Sequence, residues 1–208
     1  MEVVPKITGR SLGEHRERTR ERIFAALSTL MYQRGFDAIS LADIAAAAEV
    51  GRTAMYNYFA DKESLLLAYA EHATEQYMAE LVSALSGVRD PVDGLATYVR
   101  SQLRHVARNH LPPGTALRSL MSEQTYRHMI EHVSALELIL RGILAAGIRE
   151  GLLPDDDVDT LVGLVTACIS GRTVAELSGP ELDHAVESTV RFVLRGVGAF
   201  YDDLSSQS

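Results

Sequence analysis

A chain of 208 residues with 47% hydrophobic and 23% charged side chains can bury a core without disulfides or a metal, and its balance excludes disordered, collagen-like and miniprotein classes. Its single cysteine, Cys168, excludes an intrachain disulfide and fits a reducing cytosol. The formal charge of -8 argues against a polyanionic partner for the whole chain, yet residues 1–62 hold nine basic side chains against eight acidic ones while the remainder holds 11 against 20.

That asymmetry suits one segment to a polyanion and leaves an acidic body. No apolar signal segment lies between Met1 and Gly13. The longest run free of Asp, Glu, Lys and Arg, Thr160 to Gly171, is 12 residues, short of the roughly 20 that cross a bilayer. The expectation is a soluble, cytoplasmic chain with no membrane partner.

Apolar positions recur at helical spacing and no alternating strand pattern occurs, so the expected fold is all-α with about nine helices. The first spans about Glu14 to Arg34, with Ile23, Phe24, Leu27, Leu30 and Met31 on one stripe and Gly35 as its stop. Ser40 and Asp43 make a capping box for a short helix of about Leu41 to Ala48. Gly51 precedes a third of about Arg52 to Tyr58, and Asp61 caps a fourth reaching about Leu85. Pro91 opens a helix of about Val92 to Asn109, and Pro112, Pro113 and Gly114 separate it from a short one of about Thr115 to Ser122. A long helix of about Gln124 to Glu150 ends at Gly151 and Pro154, and two more cover about Asp156 to Leu177 and Glu181 to Tyr201.

The second and third helices form a helix-turn-helix. Ala45 is the small residue at their crossing, Val50 fills the corner, and Ile44, Met55 and Phe59 reach the core shared with the first helix. The third helix then projects Arg52, Thr53, Tyr56, Asn57 and Tyr58 outward. Arg forks onto guanine, Asn pairs with adenine, Thr meets the thymine methyl, and the tyrosine hydroxyls suit phosphate oxygens. The two tyrosines also suit half-buried packing positions. Lys62 adds a positive charge on the first turn of the fourth helix.

Gly35-Phe36, Ser40-Leu41-Ala42-Asp43-Ile44-Ala45, Met55-Tyr56-Asn57-Tyr58-Phe59 and Asp61-Lys62-Glu63-Ser64-Leu65-Leu66 together resemble the N-terminal domain of the tetracycline-repressor (TetR) family of bacterial transcriptional regulators. The resemblance covers about residues 15–67. Glu49 departs from it where the family usually has glycine, placing a side chain in a turn that favours positive φ, and Gly51 where it usually has Ser or Thr. The resemblance implies phosphate contacts from Ser40, Tyr56, Tyr58 and Lys62, and base reading by Arg52, Thr53 and Asn57. Arg10, Arg16, Arg18 and Arg20 are placed to reach flanking DNA, although their interleaving with Glu14, Glu17 and Glu21 equally describes a solvated helix face.

It further implies a DNA-binding domain at 1–60 with an N-terminal arm, and an effector-binding and dimerisation domain at 61–208. The implied protein is not an enzyme and needs no cofactor. It is a ligand-responsive repressor that holds a palindromic double-stranded operator as a homodimer and is released by a small, largely apolar effector. For the effector the candidates are Tyr69, His72, Tyr98, His105, Met121, Tyr126, Met129 and His132, hydrogen-bonding or soft side chains among apolar ones. For the dimer interface they are Gly163, Ala167 and Gly171, a smooth strip at i, i+4, i+8, and Val190, Val193 and Val197 of the last helix. A competing pattern, His128, Glu131 and His132, has the spacing of an inverted zincin motif and raises the alternative of a metal- or ligand-binding helical protein that does not act on DNA.

Overall fold

The computed structural model describes the backbone of residues 9–109, 118, 122–171, 174 and 176–199, and the side chains of these other than 9–12, 126 and 128–133. Eight helices and no strand occur among the described residues: α1 (Gly9–Arg34), α2 (Leu41–Ala47), α3 (Arg52–Tyr58), α4 (Lys62–Leu85), α5 (Pro91–Asn109), α6 (Glu123–Arg149), α7 (Val158–Ser170) and α8 (Gly179–Gly196). The fold is all-α. The short helix expected over 115–122 falls almost wholly outside the described residues. No helix among the described residues is long and apolar enough to cross a membrane.

The chain divides into two compact units, Met1–Tyr69 and Ala70–Ser208. In the first, Ile23, Leu27, Ile44, Met55, Leu65 and Leu66 are almost wholly buried, each from the apolar stripe of its own helix. Gly35, at φ 76, closes α1 with its amide on the Met31 carbonyl 2.9 Å away, a left-handed stop that glycine reaches without Cβ strain. The Ser40 hydroxyl accepts from the Asp43 amide at 3.1 Å while the Asp43 carboxylate accepts from the Ser40 amide at 2.8 Å, completing the box that starts α2. Asp61 and Ser64 repeat the device at α4, with the Ser64 amide 2.7 Å from the Asp61 carboxylate and the Asp61 amide 3.2 Å from the Ser64 hydroxyl.

In the second unit α5 is the spine, packed against α6, α7 and α8 around Leu95, Val99 and Leu103. Two ends differ from expectation. Helix α7 stops at Ser170 rather than near Leu177, because Gly171 follows and Val174 turns into the core with no exposed surface. Helix α8 ends at Gly196 rather than near Tyr201, since Gly198 turns left-handed at φ 72 and the Ala199 amide closes on the Leu194 carbonyl at 2.9 Å.

Glu49, between α2 and α3, has φ 54. A left-handed backbone costs an L residue about 1–2 kcal/mol, against which glycine's freer unfolded chain forfeits about 0.4–1 kcal/mol. Glu49→Gly is therefore expected to stabilise the first unit by about 0.5–1 kcal/mol, read as a higher denaturation midpoint; a lower midpoint would mean the Glu49 side chain makes a compensating contact.

Candidate functional site

The α2–α3 corner is set by hydrophobic packing. Ala45 and Ala48 are buried where the helices cross, the Val50 amide bonds the Ala45 carbonyl at 2.9 Å, and Met55 anchors α3 from beneath. With Met55 inward, the other face of α3 is turned to solvent. Arg52, Thr53, Tyr56 and Asn57 are exposed, Tyr56 to 53%, an unusual fraction for so large a ring. Gly51 supplies no side-chain cap to α3. Tyr58 is half-buried beside Phe59, and the Arg16 guanidinium lies 5.5 Å from its ring centroid, a cation–π contact that brings α1 to the edge of the same face. Only geometry reveals that pairing, since the two residues are 42 apart in the chain.

The other arm arginines are engaged along α1. Arg18 pairs with Glu14 at 3.4 Å, and Arg20 pairs with Glu17 at 2.9 Å while its guanidinium lies over the Phe24 ring. The Arg10 side chain lies outside the described residues.

Lys62, expected at a phosphate, is engaged within the unit. Its ammonium donates to the Phe36 carbonyl at 2.8 Å and the Ile39 carbonyl at 3.0 Å, and lies 4.3 Å from the Phe36 ring centroid. Two of its three protons thus bind the loop between α1 and α2 to the first turn of α4. The Ser40 hydroxyl is likewise taken up by its cap, donating to the Asp43 carboxylate at 2.5 Å, and these Ser40 hydrogen bonds hold the Asp43 carboxyl below its ordinary range.

The effector candidates separate. Tyr69 belongs to the first unit's core rather than to a pocket: it is buried edge-on against Phe24 at 5.6 Å, with its phenol pushed up by burial against an opposing Ser28 hydrogen bond. Helical spacing alone could not tell which side of α4 it served. His72 is half-buried and shares a 3.0 Å hydrogen bond with Gln76. Tyr98 and His105 are buried in the second unit, where burial pushes the Tyr98 phenol up to about 12. His105 stacks on Tyr77 at 4.3 Å and 26°, with its Nδ1 3.0 Å from the Asn109 amide nitrogen. Met121 and the side chains of Tyr126, Met129 and His132 lie outside the described residues, as do those of His128 and Glu131.

Two further residues join Tyr98 and His105. Gln102 falls on their face of α5, where positions 98, 102, 105 and 109 repeat at i, i+4, i+7, i+11, a signal present in the sequence. Tyr77 of α4 is 1% exposed and carries no such mark. Beside it runs a groove of about 390 Å³ lined by Tyr77, Glu80, Ala84, Ser101, Arg104, Arg108 and Leu182. The rim is neutralised by ion pairs: Arg108 with Glu80 at 2.5 Å, and Arg104 with Asp183 at 3.0 Å.

Of the interface candidates, Gly163, Ala167 and Gly171 are exposed along α7 beside Leu164, itself 62% exposed. Val190, Val193 and Val197 are not available to a partner: all three are buried in the unit's own core, and the exposed apolar residue of α8 is Phe192, 67% exposed. The valines follow the stripe that packs α8 onto α5, so a hydrophobic run alone could not say whether it faced its own chain or another.

Replacing Lys62 with Met should cost the first unit about 2–3 kcal/mol, because two carbonyls lose a charged donor, whereas Arg52→Ala should leave stability within about 0.5 kcal/mol. Equal thermal midpoints for the two variants would contradict the structural role of Lys62. Burial, reinforced by Arg108 and opposed by Glu80, holds the His105 imidazole down at about 4 against an ordinary 6.5. The unfolded chain therefore binds the extra proton first, so the contribution of neutral His105 is complete above pH 6.5 and is lost as pH falls toward 4. Chemical denaturation should show about 1–2 kcal/mol lost by pH 5, and His105→Phe should flatten that stretch; an unchanged slope would refute the assignment.

Residues 23–69 match the family model described as bacterial regulatory proteins, tetR family. Over the longer chain, the protein is similar to the uncharacterized HTH-type transcriptional regulator YdeS of Bacillus subtilis, 24% identical across 88% of this chain and 91% of that one. It is also similar to the HTH-type transcriptional repressor NemR of Escherichia coli, 28% identical across 64% of this chain and 68% of that one. Among solved structures, AibR in complex with isovaleryl coenzyme A and operator DNA has the same fold, with a TM-score of 0.69 at 16% identity over 84% of this chain and 97% of that one. These are regulators and not enzymes, and their likeness converges with the capping boxes, the Ala45 crossing and the exposed face of α3. The chain thus resembles the TetR family of transcriptional regulators, whose model its residues 23–69 match.

Proposed function

We propose that the protein is a ligand-responsive repressor that binds a palindromic operator as a homodimer and lets it go when a small, largely apolar effector occupies the second unit. The observation that carries the reading is the solvent-facing set Arg52, Thr53, Tyr56 and Asn57 on a helix fixed from behind by Met55. Arg52, Thr53 and Asn57 read base edges, and Tyr56 and Tyr58 contact phosphates. Arg16, drawn to Tyr58, adds a cation beside them. The description of NemR as a transcriptional repressor supports repression, and AibR, solved with both operator DNA and an acyl coenzyme A, supports coupling of the two ligands.

In a dimer, two copies of α3 would enter successive major grooves about 34–36 Å apart. The exposed strip of Gly163, Leu164, Ala167 and Gly171, with Phe192, is the apolar surface for that pairing. Helix α4 runs from Lys62, in the first unit, to Leu85, in the second, and is the lever by which an effector prefers the spacing that does not fit DNA. The effector shifts that equilibrium only by its differential affinity for the two arrangements.

Mobility-shift titrations on the region upstream of the protein's own gene test the reading. Asn57→Ala should change the preferred base at one position of each half-site, at a cost of about 1–3 kcal/mol on the favoured sequence, while Tyr56→Phe should weaken all sequences alike. Failure to bind any genomic fragment would sink the repressor reading, and identical profiles for the two variants would sink the division between base and phosphate contacts.

A further inference from the structure

The second unit buries polar side chains that its own fold does not use. The Tyr77 hydroxyl and the Gln102 Oε1 are both shielded from solvent and neither has a hydrogen-bond partner among the described residues. Buried polar atoms in native folds are nearly always paired, because an unmet donor or acceptor forfeits its hydration with no return. Here one orphan is a donor and the other an acceptor. They sit on elements that meet, for the Tyr77 ring of α4 stacks on His105, which lies one turn along α5 from Gln102.

The surroundings select against charge. Tyr77, Tyr98 and His105 are all neutral at cell pH, burial raising the two phenols and lowering the imidazole. Leu81, Leu95, Leu103 and other apolar residues make up the rest of this core. Among the described residues, the charged margin of the groove beside Tyr77 is compensated by Glu80 on Arg108 and Asp183 on Arg104. Among the described residues of that groove, an ionic ligand would find no unpaired counter-charge.

We infer that Tyr77 and Gln102 are the polar recognition pair of the effector site, and that the effector is an uncharged molecule with an apolar body whose polar group, such as a hydroxyl or an amide, both accepts from Tyr77 and donates to Gln102. The inference rests on the effector-responsive reading above and gives the ligand its chemical class. The groove along the Tyr77 ring, with Ala84 and Leu182 on its walls, is the approach from solvent.

A graded series of aromatic probes tests the pair: 1-naphthol, which accepts and donates, 1-methoxynaphthalene, which only accepts, and naphthalene, which does neither. Fluorescence titration of the full-length protein should rank them in that order, with about fivefold in affinity for each hydrogen bond. Tyr77→Phe should abolish the advantage of 1-methoxynaphthalene over naphthalene, and Gln102→Met the advantage of 1-naphthol over 1-methoxynaphthalene. Tyr77→Phe should also leave the melting temperature unchanged or raised, because it deletes an unpaired hydroxyl. No binding of 1-naphthol, preferences that survive both substitutions, or a melting temperature lowered by Tyr77→Phe, as for a hydroxyl already satisfied by water, would each overturn the inference. Failure of the broader reading looks different: the probe series behaves as described, yet saturating 1-naphthol leaves operator binding unchanged.

Discussion

The ammonium group of Lys62 holds the DNA-binding unit together at the point where several elements meet. Three helices around a small core leave the loop between α1 and α2 with carbonyls that no helix satisfies, and the chain answers with one cation that takes two of them, from Phe36 and Ile39. Because Lys62 is also the first residue of α4, the same bonds fix where that helix begins. The Asp61–Ser64 box adds a second constraint one residue away, its carboxyl held low by the Ser64 hydrogen bonds and so ionised at any physiological pH. The exposed face of α3 is a consequence. Seven residues make too short a helix to persist alone, so its orientation is inherited from Met55 beneath it and from neighbours whose geometry Lys62 fixes.

In the second unit the equivalent organiser is α5, and it works through two faces of opposite character. Its outward arginines, Arg100, Arg104 and Arg108, repeat every fourth residue and meet Glu187 and Asp183 of α8 and Glu80 of α4. The Arg100 pair is two-pronged, with bonds of 2.6 and 2.9 Å, a geometry that fixes register as well as energy. Exposed pairs of this kind contribute little each, so their role is alignment while burial around Leu95, Val99 and Leu103 supplies stability. On the inward polar face, from Tyr98 to Asn109, the ring of His105 stacks on Tyr77 of α4. A helix that spends charge pairs on alignment and leaves neutral polar groups in its core is built to hold still around something uncharged.

Much of this was legible in the residues because it is local. Capping boxes, glycine stops and the apolar stripe of α1 depend on spacings of three or four residues, and Ser40, Asp43, Gly35, Ile23 and Leu27 behave as those spacings require. The face of α3 was legible for the same reason, since fixing Met55 inward fixes Tyr56 and Asn57 outward. What escaped was long-range. Lys62 reaches carbonyls 23 and 26 positions back, and no periodicity encodes that. Tyr69 and Tyr77 are two turns apart on one helix, yet one packs on Phe24 and the other on His105. Val190, Val193 and Val197 show the same limit from another side: a valine stripe specifies that a face is buried and leaves open what buries it.

Charge gives the DNA-binding unit its working range. Residues 1–62 carry only one net positive charge, and of their cations Arg18 and Arg20 are paired with glutamates and Lys62 is bound to carbonyls. The six others share the segment with eight acidic side chains, and each phosphate contact contributes about 0.9 to the salt slope, so the small net charge gives a single proposed unit only a modest electrostatic hold on DNA. In the proposed dimer the partner's copy of the DNA-binding unit acts at the high effective concentration set by its tether, and occupancy then depends on both copies engaging together. Weak single-site binding is therefore what makes release by geometry effective: a change in spacing that spares every contact within one copy of α3 still removes the simultaneous engagement on which occupancy rests. A more basic arm would bind DNA whatever the spacing, and the effector would lose its influence.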